Sequence, residues 1–313
     1  MRAAWRRISG WLARREAGTS LALLRIGLGL CILHIVVPMV LTGAHHLLLV
    51  DVSDGGYTRI TGDQWLVQLL GGATRLGVNR LCALSVGCGA LMIVGLGGRI
   101  TAFVALQVLI ALFSLNPTSG GGHDRLLTNG LWLLVLGDST ATLSLHARLR
   151  HGGWVRDTLV AAWPRYLAVY QLVVVYTATG LQKVGVPWTP WGGFSAMYES
   201  LLMPSWRRWD MAWIAHVYPL TQVGTVTTLV FEIGSSVWLL AAWFRDTRER
   251  PGRLRALFNR LDVRRIWVFT GIGLHLGIAL FLNVGVFSWV TLSFYAALFH
   301  PDEWAALRRR IRG

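Results

Sequence analysis

The chain has 313 residues, of which 54% are hydrophobic and only 14% are charged, and its mean hydropathy is +0.50. Soluble domains carry about 25% charged residues, so this composition excludes an ordinary soluble protein and indicates an integral membrane protein. The formal net charge of +15 does not indicate nucleic-acid binding, because the basic residues cluster in short segments between apolar runs.

A helix needs about 20 apolar residues to cross the hydrocarbon core of a bilayer. Eight apolar runs predict an all-α bundle of about eight transmembrane helices in one domain, at residues 19–41, 80–97, 100–115, 126–143, 164–182, 219–244, 266–283 and 285–299. The last two runs are separated only by the segment from Asn283 to Gly285, which predicts a tight turn. Seven spans, with one long bent helix in place of the last two, are the alternative.

The placement of arginine orients these spans. With a cytoplasmic N-terminus, the segments 1–18, 144–163, 245–265 and 300–313 and the turn at Arg99 lie inside and hold most of the arginines. The external segments 42–79, 116–125 and 183–218 are poor in basic residues. Because basic residues favour the cytoplasmic side, we expect a multi-pass protein of the cell membrane with both termini in the cytoplasm. The first segment, MRAAWRRISGWLARR, predicts an amphipathic lead-in rather than a cleaved signal peptide.

The external segment 183–218 is rich in tryptophan, with Trp188, Trp191, Trp206, Trp209 and Trp213. Tryptophan prefers the interface between membrane and water. We therefore expect this tryptophan-rich loop to form short interfacial helices.

Lys183 is the only lysine in the chain, and it lies at the external end of the fifth predicted span, within TATGLQKVGVPW. One interpretation is an anchor that extends to the interface. The other is a base, because burial disfavours the charged form of a lysine and leaves an amine that accepts protons near neutral pH. Arginine stays protonated and cannot act in this way, so a base explains why one lysine remains among many arginines.

The external turn NPTSGGGHDR carries His123 and Asp124 after three glycines. It is either a plain turn in which Asp124 caps the next helix, or a site in which His123 handles a proton near Lys183. Within the predicted spans, Arg25 and Glu232 favour a structural ion pair, since intramembrane charges usually pair. No third ligand stands at metal spacing near the two histidines at 45–46, so no metal site is predicted.

Four stretches resemble the family of horizontally transferred transmembrane proteins, which includes the membrane part of vitamin K-dependent γ-glutamyl carboxylases and the sporulation-delaying B proteins. They are LALLRIGLGLCILHIV, NPTSGGGHDRLL, YTATGLQKVGVPW and HLGIALFLNVGVFSWVTLSFYAALFHPDEW, and they cover nearly the whole chain in order. In the carboxylases a lysine of the third stretch acts as a base on reduced vitamin K, and oxygen then attacks to give a stronger base that removes a glutamate γ-proton.

The resemblance implies that Lys183 is this base and that His123 matches the carboxylase loop histidine, although glycines replace the asparagines that precede it. It also implies that substrate or cofactor contacts are made by Asp124, Tyr176, Trp188 and Trp191. A reduced quinone is the implied cofactor, held under the tryptophan-rich loop. No large external region follows the last predicted span, so we expect that classical carboxylase substrate proteins are not used.

Two functions follow from these patterns. The first is an enzyme that uses Lys183 as a base on a quinol-type lipid to modify a secreted peptide. The second is a non-catalytic membrane factor, like the sporulation-delaying B proteins, that holds a small secreted peptide precursor for maturation or export with a partner protein. A transporter is disfavoured because the chain has no internal repeat.

Overall fold

The fold is described from a computed structural model, which describes residues 9–10, 12–156 and 158–312. The predicted N-terminal lead-in falls largely on residues 1–8 and 11, which lie outside the described residues. Helices hold 72% of the chain, in agreement with the all-α prediction. The chain forms two compact units, one of residues 1–168 with 289–313 and the other of residues 169–288.

The helices are numbered in chain order. They are α1 (Thr19–Leu41), α2 (Ala44–Leu48), α3 (Trp65–Leu69), α4 (Arg75–Val94), α5 (Gly98–Leu115), α6 (Gly122–Leu136), α7 (Leu145–His151), α8 (Trp163–Leu181), α9 (Ala196–Leu202), α10 (Tyr218–Ile233), α11 (Val237–Asp246), α12 (Arg253–Leu261), α13 (Val263–Phe281), α14 (Phe287–Tyr295) and α15 (Pro301–Arg312). Two strands, β1 (Arg15–Ala17) and β2 (Leu159–Ala161), pair antiparallel with Glu16 opposite Val160. The sequence analysis did not predict this small sheet.

Five helical segments of the described residues are long and apolar enough to cross a membrane: Thr19–Leu41, Arg75–Val94, Gly98–Leu115, Ala212–Asp246 and Val263–Phe281. They correspond to five of the predicted spans and indicate a membrane protein. The other three predicted spans, 126–143, 164–182 and 285–299, contain the helices α6, α8 and α14, of 15, 19 and 9 residues. The helical prediction holds at these positions, but α6 and α14 are shorter than the roughly 20 residues that an upright span needs.

The predicted break in the last apolar run is confirmed. Helix α13 ends at Phe281 and α14 begins at Phe287, and between them Gly285 has φ +59. Glycine adopts this left-handed conformation without the steric cost that a side chain adds. Residues 263–295 are therefore not one uninterrupted helix, while the choice between seven and eight spans stays a prediction.

The break is joined to the tryptophan-rich loop by main-chain hydrogen bonds within the second unit. The N–H of Asn283 donates to the carbonyl of Trp206 at 2.6 Å, and the N–H of Arg208 donates to Phe281 at 2.9 Å. The indole N–H of Trp209 donates to the carbonyl of Leu280 at 2.7 Å. Residues 206–209 and 280–283 together form what we call the loop strap.

In the first unit, the side chain of Arg25 lies at the C-terminal end of α4 and beside the segment that follows α6. Its guanidinium is 2% exposed and donates to the carbonyls of Met92 and Ile93, in the last turn of α4, and to those of Ser139 and Leu143. The C-terminal carbonyls of a helix carry partial negative charge, which suits a cation. The segment that follows α6 curves around this guanidinium, so the helix stops at residue 136 rather than running on to the predicted limit at 143.

Candidate functional site

Lys183 lies two residues after the end of α8 and forms an ion pair with a carboxylate on α10. Its Nζ is 2.5 Å from Oε2 of Glu232 and 3.5 Å from the carbonyl of Thr179. The side chains of Lys183 and Glu232 are 19% and 13% exposed. The only lysine of the chain is therefore held in a specific, largely buried contact rather than extending freely from the end of a helix.

Glu232 also accepts a hydrogen bond from a second side chain, which lies in the last turn of α8. The hydroxyl of Thr179 donates to Oε2 of Glu232 at 3.2 Å, so one carboxylate oxygen receives both an ammonium and a hydroxyl donor. Hydrogen bonds to charged groups are stronger than those between neutral groups. This arrangement fixes the carboxylate in position beside the C-terminal end of α8, next to Lys183.

The two helices approach closely because α8 has a glycine at the contact. A Cβ built on Gly180 would lie 3.0 Å from the Cβ of Glu232 and 3.0 Å from both the main-chain nitrogen and Cγ1 of Ile233. Small residues allow helix backbones to pack at short distance. Gly180 therefore brings Glu232 within reach of Lys183, three residues further along the chain.

The helix that carries Glu232 changes its geometry directly after this residue. Helix α10 ends at Ile233, and residues Gly234–Ser236 form a 3₁₀ turn before α11 begins. The hydroxyl of Ser235 donates to the carbonyl of Val173 at 3.2 Å and lies 3.0 Å from the hydroxyl of Thr177. A short 3₁₀ stretch within a long helical run often marks a functional position or a strained sequence.

Trp188 provides an aromatic face to the ammonium group. The residue closes a short 3₁₀ turn at Val186–Trp188, and its ring centroid lies 5.0 Å from Nζ of Lys183. A cation over the face of tryptophan is attracted by the quadrupole of the ring. Trp188 therefore contacts Lys183 directly, while its role toward a substrate or cofactor stays a prediction. Trp191, by contrast, is 89% exposed.

Tyr176 lies one helical turn before Thr179 and is buried in an aromatic cluster. Its hydroxyl oxygen is 2.5 Å from Nε2 of His275 on α13, and both residues are buried. Its ring packs edge-on against Phe231 and Trp238, with centroid distances of 5.0 Å and 5.6 Å. The aromatic cluster therefore lies beside the ion pair in sequence, since Phe231 directly precedes Glu232.

His123 and Asp124 belong to the first unit, whereas Lys183, Tyr176, Trp188 and Trp191 belong to the second. The Asp124 carboxylate accepts from the N–H of Gly121 at 2.9 Å, at the start of α6, and lies 3.2 Å from Nε2 of His123. The capping role considered for Asp124 is therefore present. A meeting of His123 with Lys183 stays a prediction.

The predicted ion pair between Arg25 and Glu232 is wrong. Arg25 donates to the main-chain carbonyls described above, and Glu232 takes Lys183 as its partner. The Arg25 guanidinium is satisfied by carbonyl oxygens at the end of a helix. The sequence analysis considered only acidic side chains as partners for this cation. Sequence reasoning thus missed Glu232 as the partner of the candidate base, and it gave His275 no role. The pairing of Lys183 with Glu232 could have been predicted, since a lone lysine and a mid-span acid both need a partner in apolar surroundings.

Within the described part of the chain, no three histidine, cysteine or acidic residues come together in a way that could hold a metal ion. His45 and His46 instead both place Nε2 near the side-chain oxygen of Asn79, at 3.0 Å and 2.8 Å. Their polar atoms are thus engaged with a neighbouring helix, α4, that begins at Arg75.

Comparisons of this chain with protein-family models, with curated proteins and with solved structures gave no match. The resemblance to the horizontally transferred transmembrane family therefore stays a prediction that depends on the four sequence stretches.

Proposed function

We propose that the chain crosses the cell membrane eight times, with both termini in the cytoplasm and the tryptophan-rich loop outside. Five apolar helical segments support the membrane-spanning part of this proposal, and we assign the remaining crossings to the apolar runs 126–143, 164–182 and 285–299, which hold most of α6, α8 and α14. The arginine-rich segments 144–163 and 245–265 then lie on the same side of the membrane, as the positive-inside rule requires. The 35-residue segment Ala212–Asp246 is about 50 Å long, which exceeds a hydrocarbon core of about 30 Å, so its first turns extend into the external interface.

Within this topology, the proposed activity is that of a membrane enzyme in which Lys183 is the base toward a reduced quinone-type lipid and the product is a modified secreted peptide. The observation that carries the proposal is the arrangement of Lys183 between the Glu232 carboxylate and the Trp188 ring. An anchoring lysine needs neither a fixed acidic partner nor an aromatic face. An acid and a base in contact can exchange a proton.

The proton on Nζ is the central quantity in this proposal. In the resting pair the carboxylate of Glu232 stabilises the ammonium form of Lys183, which by itself is not a base. Transfer of the proton to the contacting carboxylate of Glu232 would give an amine and a carboxylic acid. The amine then accepts a proton from a bound hydroxyl, and the hydroxyl of Thr179 holds the Glu232 carboxylate in place.

The surroundings of Lys183 fit a reduced quinone. Such a lipid supplies an acidic hydroxyl and, once deprotonated, an electron-rich ring that reacts with oxygen. The Lys183 side chain is 19% exposed, and the Trp188 ring offers a flat apolar surface beside Nζ. Val184 and Val186, which precede Trp188 in the chain, are 82% and 64% exposed and add apolar surface to this segment.

The test exchanges the two basic residue types. Lys183→Arg keeps a cation beside Glu232 but cannot release a proton, so we expect oxygen uptake with reduced phylloquinone in proteoliposomes to fall by about 100-fold or more. The melting temperature should stay close to that of the unchanged protein. Arg207→Lys, the reverse exchange at an exposed site of the same loop, is the matched control and should leave oxygen uptake unchanged.

A second function, the non-catalytic peptide-holding factor, is favoured by one specific observation. The loop tryptophans are strongly exposed, with values of 89% for Trp191, 55% for Trp209 and 50% for Trp213. Exposed aromatic residues are common in protein interfaces. This function requires that Lys183→Arg leaves peptide maturation intact and that Trp191→Ala lowers it. The enzyme requires that Lys183→Arg lowers peptide maturation more than Trp191→Ala does.

A further inference from the structure

Helix α12 presents an apolar stripe that its own unit does not cover. It spans Arg253–Leu261, with the sequence RLRALFNRL. Leu254, Leu257 and Leu261 are 55%, 48% and 53% exposed. Their spacing of three and four residues places them on one face of the helix.

The other side of α12 is fixed against α11. The ring of Phe258 packs edge-on against Phe244 at a centroid distance of 5.2 Å, and the side-chain amide of Asn259 donates to the Phe244 carbonyl at 3.1 Å. The guanidinium of Arg255 lies 5.4 Å from the ring centroid of Trp243. These contacts determine the rotation of α12 about its axis. The leucine stripe points away from α11 because the residues opposite it are held against α11.

The charges around the stripe are strongly positive. Residues 245–265 contain eight arginines and three acidic residues, Asp246, Glu249 and Asp262, which gives a net charge of +5. Asp262 lies 2.9 Å from Arg265 and 3.7 Å from Arg264. Arg253 and Arg260 are exposed, and on a helical wheel they lie next to the leucine stripe.

The chain connectivity keeps α12 close to one membrane surface. It lies between α11 and α13, which belong to two of the segments long enough to span a membrane. Six residues separate it from α11, and Asp262 alone separates it from α13. Asp262 has φ +44, a left-handed conformation that turns the chain sharply between the two helices.

We propose that α12 is an interfacial helix that binds the surface of a bilayer containing anionic phospholipid, with the leucine stripe among the acyl chains and Arg253 and Arg260 at the lipid phosphates. The proposal depends on the membrane topology proposed above, because that topology places both ends of α12 at one surface. Apolar burial and attraction to anionic lipids act together in such helices. An acidic protein partner would use the arginines but would leave no reason for the leucines to lie at the level of the membrane surface.

The experiment measures hydrogen exchange of residues 253–261 in the full-length protein, reconstituted in nanodiscs of phosphatidylcholine alone or with added phosphatidylglycerol. We expect slower exchange when phosphatidylglycerol is present. Arg253→Gln and Arg260→Gln should each reduce this protection by roughly fivefold, and high salt should reduce it in the unchanged protein. Arg309→Gln on α15 removes the same single charge elsewhere and should leave the exchange of α12 unchanged.

Equal exchange in the two kinds of nanodisc would overturn the proposal, as would protection that appears only after a second protein is added. Alkaline carbonate extraction separates this result from a failure of the topology. A chain that stays in the carbonate-washed membrane but shows no lipid-dependent protection contradicts the role of α12 alone. A chain that carbonate removes from the membrane contradicts the proposed spans as well.

Discussion

The replacement Glu232→Gln removes one charge from the site and nearly nothing else. Glutamine keeps the shape of the side chain and an oxygen that can accept from Thr179, so the measured change reports on the ion pair with Lys183. At 2.5 Å and an effective dielectric constant of about 20, the attraction between the charges is about 6–7 kcal/mol, much of which desolvation offsets. Breaking a buried pair costs about 3–5 kcal/mol and breaking an exposed pair at most about 1 kcal/mol. For side chains that are 19% and 13% exposed, we expect a loss of about 2–3 kcal/mol.

The assay is thermal denaturation of the purified protein in detergent, in which this loss corresponds to a fall in Tm of roughly 4–10 °C. A double-mutant cycle with Lys183→Met isolates the pair, and we expect a coupling energy of about 2 kcal/mol. Glu249→Gln is the matched control, because its side chain is 86% exposed and lies 3.9 Å from Arg248. Additive effects of the two substitutions, or equal effects of Glu232→Gln and Glu249→Gln, would show that the ion pair contributes no stability and would refute the argument.

Three further predictions concern other parts of the chain. Gly180→Ala places a Cβ 3.0 Å from α10 and should cost about 1–3 kcal/mol in thermal denaturation, whereas Gly277→Ala, with no atom within 4 Å, should be neutral or slightly stabilising. Arg25→Lys cannot reach carbonyls of both α4 and the segment after α6, so its Tm should fall by several degrees, and an unchanged Tm would contradict the anchoring role. Hydrogen bonds from the Ser53 hydroxyl, and then from main-chain N–H groups, lower the pKa of Asp51 from 3.8 to about 2. The loop at 51–60 should therefore keep its protection from hydrogen exchange above pH 4 and lose it as the pH falls towards 2. Asp51→Asn should abolish this pH dependence.

The positions of the helices could largely be predicted from the sequence, because apolar runs of span length have few alternatives. The span 19–41 agrees with α1 at both ends, and the break before residue 287 was predicted from an asparagine and a glycine. The predicted start of α4 and the predicted end of α6 were less accurate. Thr74 caps α4 through its side chain, so the helix begins at Arg75, five residues before the predicted start. Helix α6 stops early because the following segment wraps around Arg25. Both limits depend on polar contacts that hydropathy does not detect.

The surroundings of Lys183 could be predicted from the sequence only to a small extent, and the roles assigned to the site residues stay predictions. The unusual lysine drew attention to residue 183, and Trp188 does contact it. The partner was misassigned because Glu232 and Arg25 both lie within apolar runs, and matching them by charge ignores the main-chain carbonyls that Arg25 uses. The glycine that allows the approach, Gly180, gives no signal in a single sequence. Its importance follows from the packing of α8 against α10, which only the three-dimensional arrangement shows.

The loop strap has a consequence for how this protein can change over evolutionary time. Two of its four hydrogen bonds join main-chain atoms, those of Asn283 with Trp206 and of Arg208 with Phe281. Such bonds are indifferent to side-chain identity, as long as proline does not replace a donor. Substitutions among the exposed loop residues can therefore accumulate while the path of the loop is preserved. A surface of this kind can be retuned to a new binding partner by single mutations, in the way that antibody loops change specificity on a constant framework.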